Sequence, residues 1–71
     1  MNLTVNGKPA SIADEKPLSI SALLETLQVA QREYVTVELN GDILDRDRFD
    51  AVTVKDGDTV EFLYFMGGGT L

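Results

Sequence analysis

The residues of this chain best placed to do chemistry lie at its end, where Phe62-Leu63-Tyr64-Phe65-Met66 runs straight into Gly67-Gly68-Gly69-Thr70-Leu71. Strand-forming aromatic and aliphatic side chains give way to three glycines, which carry no Cβ and have the widest backbone freedom of any residue. A rigid strand followed by so thin a tail can be threaded through a channel too narrow for side chains, which suits a terminus offered to another protein's active site. Elsewhere the means of chemistry are scarce. The chain has no cysteine and no histidine, which excludes disulfides, thiolate chemistry and zinc sites of the usual Cys/His kind, and removes the commonest general base. The alternation Asp45-Arg46-Asp47-Arg48-Phe49-Asp50 has the carboxylates of a calcium loop without its glycine or distal glutamate. Arg46 and Arg48 would repel a cation, so no metal is expected there.

The totals bound what can hold such a tail. Seventy-one residues make one domain, and a domain near this size buries only about 60% of the surface its unfolded chain exposes. The hydrophobic share, 44%, still supports a core, and the charged share, 25%, is not that of a disordered chain. Twelve acidic against six basic side chains give a formal charge of -6, which argues against nucleic acid or an anionic membrane as partner and for a basic protein surface. The same charge also serves solubility. No basic start followed by an apolar run is present, nor any apolar stretch of membrane-spanning length, so the cytoplasm is the expected location.

Several strands and one helix must position the tail. Met1, Leu3 and Val5 alternate with Asn2 and Thr4 as in a half-buried strand, and Asn6-Gly7 is a strong hairpin signal. Lys8 to Ala13 is the expected return strand, with Ala10 and Ile12 facing the core, and Asp14 to Pro17 reads as a connection. From there the period changes: Ile20, Leu23, Leu24 and Leu27 form one stripe of an amphipathic helix with Ser19 as N-cap, leaving Glu25 and Gln28 to water. Tyr34 to Leu39 alternates again, with Val35, Val37 and Leu39 on one face. Asn40-Gly41 turns the chain into a short strand at Ile43-Leu44. Asp45 to Asp50 is expected to form an irregular turn or short helix pinned by Phe49, and Val52 and Val54 a brief apolar contact. Lys55-Asp56-Gly57-Asp58 is a turn with glycine at positive φ, before a last strand from Thr59 to Met66. This order predicts an α+β roll, a mixed sheet crossed by one helix, with the first and last strands side by side in the centre.

Val5-Asn6-Gly7, the helical Leu18 to Leu27, Val37-Glu38-Leu39-Asn40-Gly41, Asp56 to Phe62 and Gly67-Gly68-Gly69 fall in the order and spacing of the ThiS family, so the chain resembles a sulfur carrier of thiamine biosynthesis over essentially its whole length. The resemblance implies a ubiquitin-like β-grasp, a mixed four- to five-stranded sheet with one helix packed across one face, over residues 1–66, and a flexible glycine-rich tail over 67–71. It implies a carrier and not an enzyme. A ThiF-type adenylating enzyme would join the terminal glycine carboxylate to AMP, using ATP that this chain does not itself bind. Sulfur would displace AMP to leave a thiocarboxylate, and a thiazole synthase would spend it. A chain without cysteine cannot carry a persulfide, and an α-carboxylate, with a pKa of roughly 3.3–3.7, is already ionised near neutral pH. Closely related readings are a MoaD-like carrier or a carrier for another metabolite. From a different class, the chain could be a ubiquitin-like interaction module whose tail is inert.

The chain departs from the family pattern in that Thr70 and Leu71 follow the glycines. While they remain, the Gly69 carbonyl is an amide and cannot be adenylated, so a processing peptidase is expected to expose Gly69, with Gly68 the alternative terminus. Around the tail, Val60, Phe62 and Tyr64 are expected to face the helix. Leu63 and Phe65, on the other face, are expected to form an apolar partner-binding patch with Met66, Gly67 and Glu61. Glu61 and Glu38 are expected to steer this face onto a basic groove.

Overall fold

A computed structural model describes residues 1–13 and 16–64. Five strands form the main sheet: β1 (Asn2–Val5), β2 (Lys8–Ser11), β4 (Val35–Leu39), β5 (Asp42–Leu44) and β7 (Thr59–Tyr64), in the order β2-β1-β7-β4-β5. β1 and β7 run parallel in the middle and the other pairs are antiparallel, so the sheet is mixed. One helix, α1 (Ile20–Thr26), packs across one face. The expected arrangement of sheet and helix, with first and last strands central, is the one observed.

Local chemistry explains the elements. Asn6 and Gly7 both take positive φ, 51° and 81°, as do Asn40 and Gly41 at 51° and 92°. That is the double left-handed turn whose twist matches the strands it joins. At the start of α1 the Ser19 hydroxyl accepts from the Ala22 amide at 3.1 Å, satisfying one of the donors a helix start leaves free. Seven residues are too few for a stable isolated helix, so α1 depends on its buried face: Ile20, Leu23 and Leu24 are buried, and Leu27 is partly so. They meet Leu3, Ile12, Val35, Val37, Phe49, Val54, Val60 and Phe62 in one core.

A second small sheet departs from the sequence-based expectation. Leu18–Ser19 and Thr53–Val54 are short strands, β3 and β6, that pair antiparallel as a second, two-stranded sheet. Val54 is therefore fully buried and part of a ladder, where only a loose contact was expected. The last strand is described as far as Tyr64, so its expected continuation to Met66 lies outside the described residues. The 45–50 segment holds a 3-10 helix, Arg46–Arg48, with Phe49 buried beneath it, as expected. Arg46 ties it down: its guanidinium lies 5.3 Å from the Phe49 ring centroid and donates to the carbonyls of Arg32 (2.6 Å) and Val35 (2.7 Å).

The turn into β7 is built on a buried carboxylate. Asp58 is 6% exposed. Its oxygens accept from the Lys55 amide at 2.9 Å, the Asn40 side-chain amide at 3.1 Å and the Lys55 ammonium at 3.3 Å. Burial pushes this carboxyl's pKa up, but the Lys55 amide, the Asn40 amide and the Lys55 ammonium together outweigh it, and the pKa falls below its ordinary value of 3.8. A depressed carboxylate contributes stability that is complete above the unfolded value and is lost as pH falls from there through the folded value. Asp58→Ala should cost about 1–3 kcal/mol at neutral pH, because it orphans the bonded amides. Lys55→Ala should cost about 0–1 kcal/mol, since its ammonium is largely in water. Urea titrations at pH 7 and pH 3 check both; the wild type should approach Asp58→Ala in stability only in the acid.

Candidate functional site

β7 is the strand from which the tail departs, and it is held from both sides. Val5 and Val60 pair across the parallel side, and Val35 to Leu39 pair with Tyr64 to Val60 across the antiparallel side. β1 ends at Val5, yet its ladder is prolonged by one residue. The Asn6 amide donates to the Val60 carbonyl at 3.0 Å, and the Asn6 side-chain oxygen accepts from the Phe62 amide at 2.8 Å. At the other end the Asn40 side-chain oxygen accepts from the Thr59 amide at 2.9 Å. Each asparagine thus takes the left-handed conformation its hairpin needs and also bonds a β7 amide. Sequence reading found the turns and missed the second task, which an Asn-Gly pair does not advertise.

Along β7 the alternation is as expected for Val60 and Phe62, both buried against the helix side. Tyr64 keeps to the same face of the strand but reaches past the end of the helix. It is 40% exposed, and its hydroxyl donates to the Ala30 carbonyl at 2.6 Å. α1 ends at Thr26, so Tyr64 is tied to the crossover segment that follows the helix. A phenol, unlike a phenyl ring, needs a polar partner at such a place.

Among the described residues no helix lies on the opposite sheet face. Glu61 and Leu63 lie there half-buried. Register places Leu63 beside Thr36, and Ile43, Glu38 and Glu61 in one row across three strands. Ile43 is 64% exposed, and Tyr34, just before β4, 68%. Like charges directly opposite each other destabilise an antiparallel pair, and among the described residues neither Glu38 nor Glu61 has an ion-pair partner. Of the sequence-predicted site residues, Glu61, Leu63 and Glu38 are brought together on this face. Phe65, Met66, Gly67, Gly68 and Gly69 lie outside the described residues. In a hollow lined by Ser21, Leu24, Arg32, Glu33, Arg46, Phe49 and Asp50, Arg46 is committed to two carbonyls and Ser21 donates to Asp50 at 2.5 Å. Among the described residues no cluster of acidic side chains could hold a metal, and no helix is long and apolar enough to cross a membrane.

A β-grasp with one open sheet face, and a doubly paired central strand running on to glycines, is the architecture of a small ubiquitin-like protein. Residues 3–69 match the ThiS family, and the chain belongs to that family. It is 67% identical to a thiamine biosynthesis protein (ThiS) from Geobacter metallireducens, whose crystal structure superposes with a TM-score of 0.92 over 97% of this chain and 100% of that one. A thiazole synthase from Paramagnetospirillum magneticum is 36% identical over 70 residues, 99% of this chain, which spans only 21% of that longer protein. The uncharacterised protein ycf40 of Porphyra purpurea is 30% identical over 69 residues, covering 97% of this chain and 93% of that one.

Proposed function

We propose that this chain is a cytoplasmic sulfur carrier for thiazole formation in thiamine biosynthesis, loaded at the carboxylate of Gly69. The observation that carries the reading is that the sequence of the central strand β7 leads, two residues after its described end, into the three glycines. The strand is paired as far as Tyr64 on its β4 edge and bonded as far as Phe62 on its β1 edge, and the family match runs to residue 69, through Gly67-Gly68-Gly69 and short of Thr70. A rigid root and a side-chain-free terminus are what delivery of a carboxylate into another active site requires.

The chemistry balances without any residue of this chain acting as base. A peptidase hydrolyses the Gly69–Thr70 bond. The freed carboxylate attacks the α-phosphate of ATP on an adenylating enzyme, pyrophosphate leaves, and an acyl adenylate forms. A sulfur donor supplies the equivalent of hydrosulfide, which displaces AMP and leaves the thiocarboxylate. The chain is thus a co-substrate and not the catalyst, and ATP belongs to its partner. The likeness to a longer thiazole synthase supports such a synthase as the protein that takes the sulfur. Leu63, with Phe65, Met66, Gly67 and Glu61, forms the surface both partners meet.

The test is to incubate two forms, one ending at Gly69 and one retaining Thr70 and Leu71, with a ThiF-type enzyme, ATP and a sulfur donor. Exchange of one terminal oxygen for sulfur, read by mass, is expected only in the shorter form. No exchange in either form would overturn the reading. On the docking face, Leu63→Asp should weaken binding to the adenylating enzyme about tenfold while leaving the melting temperature nearly unchanged. A collapsed fold would mean that Leu63 is core.

A further inference from the structure

The open face has an arrangement that folding alone does not account for. Glu38 and Glu61 are directly opposed on neighbouring strands, Ile43 continues the same row, and Leu63 lies one step along β7 toward the glycines. Neither carboxylate has an ion-pair partner among the described residues, although Lys and Arg number six in the chain. Two like charges facing each other work against the sheet. Ile43, 64% exposed, and half-buried Leu63 set apolar groups beside the two half-buried carboxylates on the same face.

Charge decides what can cover the face. A second copy would bring an identical carboxylate pair and another formal charge of -6. An anionic membrane or a nucleic acid meets the same repulsion. The complementary surface is a basic one with apolar groups beside the charge, and a guanidinium, planar and weakly hydrated, fits between two carboxylates better than an ammonium.

We propose that the Glu38–Glu61 pair is the socket for a basic side chain, an arginine, on the thiazole synthase that accepts the sulfur, with Ile43 and Leu63 packing around it. This rests on the carrier reading and deepens it by naming the partner's chemistry at this face. The pair sets where the synthase seats, and the repulsion within the free carrier is relieved on docking.

The test uses the form ending at Gly69 and purified thiazole synthase. Glu38→Gln/Glu61→Gln keeps shape and removes both charges. It should raise the Kd about tenfold at low salt, flatten the dependence of Kd on salt, and leave the melting temperature equal to or above that of the parent. Asp42→Asn/Asp47→Asn removes the same net charge from exposed positions outside the row and should leave the Kd within error of the parent. An unchanged Kd for the Glu38/Glu61 variant overturns the proposal, as does equal weakening by both variants, which would make the effect one of net charge. So does failure of the parent to bind the synthase. The mass test on the adenylating enzyme is independent of these outcomes, so the socket can fail while the carrier reading stands.

Discussion

With Gly68→Val in the form ending at Gly69, sulfur uptake is expected to slow by at least about a hundredfold, with no change in melting temperature. A β-branched side chain restricts the backbone on either side of its Cα and adds width where the proposed channel has none. The carboxylate must still reach the α-phosphate within near-attack distance, and misplacement by about 1 Å can cost about a hundredfold in rate. Stability should be untouched, because the residues that hold the sheet together are Asn2 to Tyr64. The measurement is the initial rate of thiocarboxylate formation by mass, with melting followed by circular dichroism. An unaltered rate would mean that the tail is not threaded through a narrow passage, and the reason for three consecutive glycines would have to be sought elsewhere.

Leu23→Ala is expected to cost about 2–5 kcal/mol, the range for emptying a fully packed leucine site. Leu23 is wholly buried on a helix of seven residues, which has little stability of its own and is kept by its contact with Val35, Val37, Val60 and Phe62 in the core. A chain of this length has a total stability of roughly 4–10 kcal/mol, so the variant should lose a large part of it, and each kcal/mol should lower the melting temperature by about 4–8 °C. Ile43→Ala, on the open face, should shift the curve little, because Ile43 is already 64% exposed. Equal losses in the two variants would mean that the helix does not lock the sheet.

Much of this fold was legible because its signals are local. The period of two in Leu3 and Val5, the period near 3.6 in Ile20, Leu23 and Leu24, and the two Asn-Gly turns each report on neighbours in sequence. What was missed depends on distant partners. β3 and β6 are two residues each, too short for a period, and exist because Leu18 and Ser19 meet Val54 and Thr53. Alternation puts Tyr64 on the helix side of the sheet, but does not tell that α1 stops at Thr26 and that the Ala30 carbonyl beyond it accepts the hydroxyl. Asn6 and Asn40 read as turn residues and their side chains also fasten β7, while the Asp58 side chain closes the turn that leads into it. On the candidate site, alternation alone put Glu61 and Leu63 on the face away from the helix. Only the register of β4 against β7 revealed that Glu38 faces Glu61, because register is a property of the pairing and not of either strand.

The central claim is that the chain terminus is a handle that other proteins load. Intact mass of the protein isolated from its own cells tests it most directly. The account predicts a species ending at Gly69, part of it with one terminal oxygen replaced by sulfur, and loss of the sulfur-bearing form when the adenylating enzyme is deleted. Protein that carries Thr70 and Leu71 throughout, with no sulfur at its terminus under any growth condition, would contradict it.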